Sequence, residues 1–207
     1  MAIIKRNTPL PETVLATVQS GERADLLTTL SDPTPSARRW AARGLSAFPD
    51  AAHELVAHLQ QETDTSVREA LLTSLAEIGN TVAVAGLVEC LRSEDAALRN
   101  EAIDAMRNLP DALAPIMASL LSDPDPDVRI FSVNILDSLR HPDVERWLIE
   151  VIRGDAHVNV CATAVDLLGE VGTIESRESL QALKQRFPDE PYIAFASSLA
   201  LKRIQEA

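Results

Sequence analysis

The side chains best suited to chemistry in this sequence are four histidines, two cysteines and a set of regularly spaced arginines. His53, His58, His141 and His157 contain no pair at the i, i+4 spacing that sets two metal ligands on one helix face. Glu54 and His58 are so spaced, but one imidazole and one carboxylate leave a metal site incomplete, and an ion pair on a helix surface is expected instead. Cys90 and Cys161 belong to no Cys-x-x-Cys spacing, and two isolated cysteines point to a reducing compartment. Cys90 suits a reactive thiol or a small groove-lining side chain, and the second is expected. Seven glycines are scattered without a phosphate-cradling loop, and no nucleophile stands near a base in any known spacing. No catalytic residue, cofactor or metal site is assigned.

The arginines are better explained by the elements that must carry them. Arg38, Arg68, Arg99 and Arg129 follow one another at intervals of 30, 31 and 30 residues. Each sits second in a helix-like stretch: 37–48, 67–78, 98–109 and 128–139. Two further stretches, 160–171 and 193–204, keep the pattern with Cys161 and Ala194 in the arginine's place. The first place holds Ala37, Val67, Leu98, Val128, Val160 and Ile193; the ninth holds Leu45, Leu75, Met106, Leu136, Leu168 and Leu201; the twelfth is apolar in all six. Places 1, 5, 8, 9 and 12 share one side of a 3.6-residue helix, and a mostly apolar sixth place widens the arc to about half the circumference. Such an arc suits a helix that packs on its partner and on both neighbouring repeats. Ile130, at the outward third place, stands where other copies hold Arg39, Glu69 and Asn100.

Pro49, Gly79, Pro110 and Gly172 close these stretches. Second helices are expected at about 50–61, 81–92, 111–122, 143–153 and 175–187, joined to the next repeat by turns containing Asp32-Pro33, Asp64, Asp95, Asp123-Pro124-Asp125-Pro126 and Asp155. Aspartate and proline there cap and start the following helix. The periodicity therefore predicts an all-α chain of about five stacked antiparallel two-helix repeats. Segments 11–19 and 22–30, with Val14, Leu15, Val18, Leu26, Leu27 and Leu30, read as an irregular first pair. The expected layout is one domain over 1–207, with an N-terminal cap at 1–31, repeats over 32–188 and a C-terminal capping helix at 189–207 that has no partner.

The run Asp123-Pro124-Asp125-Pro126-Asp127-Val128-Arg129, with Val67-Arg68 and Leu75-Ala76-Glu77-Ile78-Gly79, resembles the HEAT-like repeats of the phycobiliprotein-lyase type. The resemblance covers about residues 32–204. It implies a right-handed α-solenoid whose second helices line a concave face, and turn aspartates and arginines that link adjacent repeats. Asp155 has no arginine at 161, so this ladder should weaken in the last repeats. The resemblance also implies a protein–protein interaction or scaffold role, with an accessory subunit of a bilin-lyase or other cofactor-attachment system as the alternative. Other HEAT-like proteins are di-iron hydroxylases with repeated His-Glu dyads, but the matching places hold Arg68-Glu69, Arg99-Asn100, Arg129-Ile130 and Cys161-Ala162. Others again are DNA glycosylases with a basic concave face.

Charge argues against that last activity. The formal net charge is −12. Residues 51–170 hold twenty-one acidic and eight basic side chains, against five and six in 1–50 and five of each in 171–207, so the excess lies in the middle. An acidic middle repels phosphate backbones, so no nucleic acid is expected. Solvated acids keep an extended protein soluble and can also steer a basic partner. No apolar run reaches membrane-spanning length and the N-terminal residues lack a signal-like apolar core, so a cytoplasmic, non-membrane, monomeric chain with an unidentified protein partner is expected. Along the second helices, Gly86, Pro115 and Trp147, then Cys90, Ser119 and Val151 one turn later, form a small, uncharged strip with one large ring. This strip is the candidate docking groove; the competing placement puts Trp147 in the core at a repeat junction.

Overall fold

The protein was analysed as a computed structural model that describes residues 12–139 and 141–206, with side chains described from residue 21 and to residue 205. The N-terminal segment read as lacking a signal, and the side chains of Val14, Leu15 and Val18, lie outside that description. The described residues contain twelve α-helices and no strand: α1 (Glu12–Thr29), α2 (Pro35–Leu45), α3 (Ala52–Leu59), α4 (Thr65–Ile78), α5 (Thr81–Glu89), α6 (Ala96–Met106), α7 (Pro110–Leu120), α8 (Pro126–Leu136), α9 (Val144–Gly154), α10 (Val158–Val171), α11 (Arg177–Arg186) and α12 (Pro191–Glu206). Short 3-10 turns at Pro49–Ala51, Cys90–Arg92 and Ile174–Ser176 extend α3, α5 and α11 to the lengths expected for second helices. None of the described helices is long and apolar enough to cross a membrane. The all-α fold of stacked two-helix repeats is the one the periodicity called for.

The helices form two compact units that divide between Ile78 and Gly79. In the first unit α2 packs on α1 and α4, and α3 packs on α4. α1 is one helix, where two segments were expected; Gly21 lies inside it, with open space where a side chain would stand, so the glycine does not break it. Gly44 allows a close approach: a β-carbon there would lie 2.8 Å from a methyl of Leu26, which is buried against α2, so that side chain would have to shift. Ala41, Ala42, Leu45, Leu55, Leu71 and Leu75 make the core, and the buried Ser74 hydroxyl donates to the Ala42 carbonyl at 2.9 Å.

In the second unit α6, α8, α10 and α12 follow one another in one layer, while α7 packs on α5 and α11 on α9 in the other. Met106, Leu113, Met117, Leu136, Leu148 and Leu168 fill the space between the layers. The ninth column is buried from Leu45 to Leu168, and the period-3.6 arc accounts for it. Leu201 is only half-buried, although α12 does have partners: it packs on both α10 and α11 and buries Ile193, Ala196 and Ala200.

Helix starts fall two residues before the expected ones, and at α4, α6 and α8 a turn aspartate caps the start. The Asp64, Asp95 and Asp125 carboxylates accept from backbone N–H groups of the following turn at 2.9–3.2 Å, as at Ser66, Ala97 and Asp127. Gly79, the one positive-φ residue among those described (φ 57°), ends α4 in the left-handed conformation that a side chain would disfavour.

Candidate functional site

Arg38, Arg99 and Arg129 are committed to structure. Arg38 Nε and Nη2 donate to Glu62 Oε2 and Oε1 at 2.8 and 2.9 Å, while Nη1 donates to the carbonyls of Asp32 and Pro33 at 3.0 and 3.1 Å. Arg129 repeats this geometry: Nε and Nη2 reach the Asp155 carboxylate at 2.6 and 2.9 Å, and Nη1 reaches the Asp123 carbonyl at 2.8 Å. Arg99 donates to the Ser93 carbonyl at 2.6 Å and lies 5.4 Å over the Phe131 ring. In Arg38 and Arg129 one planar guanidinium thus ties the turn that opens its repeat to the turn that opens the next. The aspartate six residues upstream contributes its backbone carbonyl, while its carboxylate accepts the N–H two residues on, from Thr34 to Asp32 and from Asp125 to Asp123, at 2.7 and 2.9 Å. A parallel tie runs from Arg92 to Asp123 at 2.6 Å.

These bonds set the charge states. The Arg38 guanidinium, with the Asp64 N–H, holds Glu62 at about 2, and the Glu62 side chain is only 3% exposed. Burial pushes Asp155 up, but the Arg129 bond and the His157 N–H outweigh it and leave the carboxyl below its ordinary value. His58 pairs with Glu62 at 3.2 Å, and Glu54 with Arg23 at 2.9 Å, so the expected Glu54–His58 pair is replaced by two pairs with other partners.

The ladder does not simply weaken where Cys161 replaces arginine. Arg186, from α11, donates to the carbonyls of Arg153 and Asp155 at 2.5 and 2.6 Å and to the Cys161 sulfur at 2.9 Å. It supplies from outside the helix the carbonyl contacts that Arg38 and Arg129 make from within. Burial pushes both thiols up, Cys90 to about 11, so neither is a thiolate near neutral pH.

The six expected docking residues do not form one strip. Trp147 and Val151 are buried, at 3% and 5% exposure, and Gly86 is buried in α5. Cys90 is half-buried, its thiol directed to the Gly86 carbonyl at 3.3 Å; Pro115 and Ser119 are exposed on α7. The Trp147 ring stacks on His141, with centroids 4.9 Å apart and planes 17° from parallel. Tryptophan belongs to the core more than the open-strip expectation allowed, because His141, in the loop before α9, folds back to cover it.

Trp147 still lines part of a cleft. This cleft, of about 360 Å3, lies between the end of α7 and the middle of α9, lined by Ala118, Ser122, Arg129, Trp147, Glu150 and Val151, with Asp123 and Asp155 at its ends. Of the six expected residues, only Trp147 and Val151 reach it. The uncharged strip is therefore replaced by an apolar wall with a charged rim. Ala118 on α7 and Ser122 in the turn after it supply the width, being small and exposed. The composition of the strip concealed the rim because Glu150 lies one place to the side of Val151, and Asp123 and Asp155 belong to turns. Among the described residues no group of three or more His, Cys, Asp or Glu side chains is placed to hold a metal ion.

Stacked helical hairpins, tied turn to turn by half-buried arginines, define an α-helical repeat protein. The sequence profile of HEAT repeats matches residues 23–107 and 113–202, and the chain belongs to the HEAT-repeat family. It is 25% identical over 189 residues to a protein named "uncharacterized phycocyanin operon protein Z" from Pseudanabaena tenuis, covering 85% of this chain and 92% of that one. Among solved structures, Cex1p superposes with a TM-score of 0.50 at 15% identity, over 94% of this chain and 44% of that one, a likeness of fold alone. The complex of CpcE and CpcF of phycocyanin lyase from Nostoc aligns over 99% of this chain and 98% of that one, at 18% identity and a TM-score of 0.37.

Proposed function

We propose that this chain is a docking module that acts by holding another protein, and that the cleft between α7 and α9 is where the partner enters. The observation that supports this most is the ring wall of that cleft. Trp147, stacked on His141, and Val151 line a space large enough for a side chain. A rigid aromatic wall costs little entropy on binding, which is the property of an interface anchor. Asp123, Glu150 and Asp155 on the rim are already paired with Arg92, Arg146 and Arg129, so the cleft selects its partner through an apolar side chain, not through free charge. The turn ladder keeps the two helices in place and spends its own donors within the fold.

A second reading is that the held protein belongs to a chromophore-attachment system. The relative from a phycocyanin operon, similar over most of both chains, favours it. One experiment addresses both. Ala118→Arg places a long cation at an exposed cleft position without touching the core, and Glu69→Ala alters an exposed position on α4. Captured from an extract of the source cell and quantified by mass spectrometry, the partner should be retained by the parent and Glu69→Ala and reduced at least about tenfold by Ala118→Arg. A phycobiliprotein subunit or its attachment enzyme in that fraction would select the second reading. Equal retention by Ala118→Arg would remove the cleft from the account.

A further inference from the structure

The six large apolar side chains most exposed among the described residues are Trp40, Val171, Ile174, Tyr192, Phe195 and Leu199, and three of these lie on α12. Tyr192, Phe195 and Leu199 are spaced by three and four residues, so they share one face of that helix, at 52%, 66% and 40% exposure. Repeat packing does not explain them. Phe195 and Leu199 occupy the third and seventh places of the repeat helix. The third place elsewhere holds Arg39, Glu69, Asn100, Ile130 and Ala162, and the seventh holds Arg43, Thr73, Asp104, Asn134 and Asp166. The seventh is polar in every other copy, and the third holds no aromatic. α12 therefore buries its inward arc as the other first helices do and carries a second apolar stripe on the opposite side. Tyr192 is pinned there, its hydroxyl donating to the Asp166 carboxylate at 2.7 Å.

We propose that this stripe is a self-association surface, covered by α12 of a second copy of the chain in antiparallel register. Charge complementarity selects the second copy. The stripe is flanked by Asp189 and Glu190 at its start and by Lys202 and Arg203 at its end. Turned antiparallel about Phe195, it sets Tyr192 opposite the other copy's Leu199, the two Phe195 rings together, and Asp189 opposite Lys202. Acids at a helix start and bases at its end also suit the helix dipole, but the dipole asks nothing of Phe195 or Leu199. The location suits an acidic chain as well: residues 171–207 hold five acids and five bases, whereas 51–170 hold twenty-one and eight, so two copies meet where repulsion is least. A stable interface buries roughly 800 Å2 per partner, and two aromatics with one leucine supply its centre but only part of its area, so the dimer is of micromolar strength.

Sedimentation equilibrium of the full chain from about 1 to 300 µM reads this directly. The parent is expected to pass from monomer to dimer across that range. Phe195→Glu, at an exposed position, is expected to stay monomeric throughout, with a helical spectrum and melting temperature like the parent's. Lys202→Glu should weaken the dimer at least about tenfold, and adding Asp189→Lys should restore it. Ala118→Arg should dimerise as the parent does, which separates this surface from the α7–α9 cleft. A parent that remains monomeric at the highest concentration, a dimer that survives Phe195→Glu, or a double charge reversal that fails to restore association would each overturn the proposal.

Discussion

Replacing Glu62 by glutamine keeps the shape of the side chain that receives Arg38 but removes its charge and turns one acceptor oxygen into an amide donor. Glu62 is 3% exposed and accepts two Arg38 N–H bonds at 2.8 and 2.9 Å, with the Thr63 and Asp64 N–H groups at 3.0 and 2.9 Å. In the fold its pKa falls from 4.5 to about 2. A depression of that size corresponds to on the order of 3 kcal/mol favouring the ionised, folded form. Because the folded pKa is the lower one, this contribution is complete above about pH 4.5 and disappears as the pH falls toward 2. Acidification also relieves the repulsion of a chain of net charge −12, so the useful quantity is the difference between parent and variant, not either curve alone. Urea melts at a series of pH values give that difference. Glu62→Gln should be less stable than the parent by a few kcal/mol at pH 7, with the gap closing between about pH 4.5 and 2. Parallel curves across that window would mean that the Arg38–Glu62 tie contributes nothing through its charge, and the account of the turn ladder would fail with it.

Two further changes bear on packing. Leu75→Ala, at a fully buried site in α4, should cost roughly 2–5 kcal/mol in denaturant melts, and Leu201→Ala, half-buried in α12, distinctly less; equal losses would contradict the burial difference. Trp147→Ala removes a buried ring and its stack on His141, so it should cost roughly 3–5 kcal/mol and lower the melting temperature sharply. An unchanged melt would place the ring outside the core.

The fold was legible in the sequence because each helix must satisfy the same neighbours. The arginine interval, the apolar ninth column and the Pro/Gly breakers all report one repeating environment, and the structure reproduces their register. The α1 helix was misread because Gly21 is permissive as well as disruptive, and nothing local distinguishes an unbroken helix from a pair. Arg186 was illegible for another reason: it replaces the missing arginine at 161 from a different helix, 25 residues on, and no linear pattern links the two. The site was legible only in part. Trp147 and Val151 were found by their place in the second-helix register, but the rim of Asp123, Glu150 and Asp155 came from turns and from the flank of α9. The α12 stripe carried a readable signal, since Phe195 and Leu199 break with the polar third and seventh places of most other copies.

The central claim is that a partner protein sits against the α7–α9 cleft, and proximity at Ala118 tests it most directly. A photo-crosslinking benzophenone side chain placed at position 118, and in a second preparation at Glu69, would be irradiated in an extract of the source cell. A discrete heavier adduct to one protein from position 118, absent from position 69 and lost when excess parent chain competes, is the expected result. Adducts that form equally from both positions, or only from position 69, would contradict it.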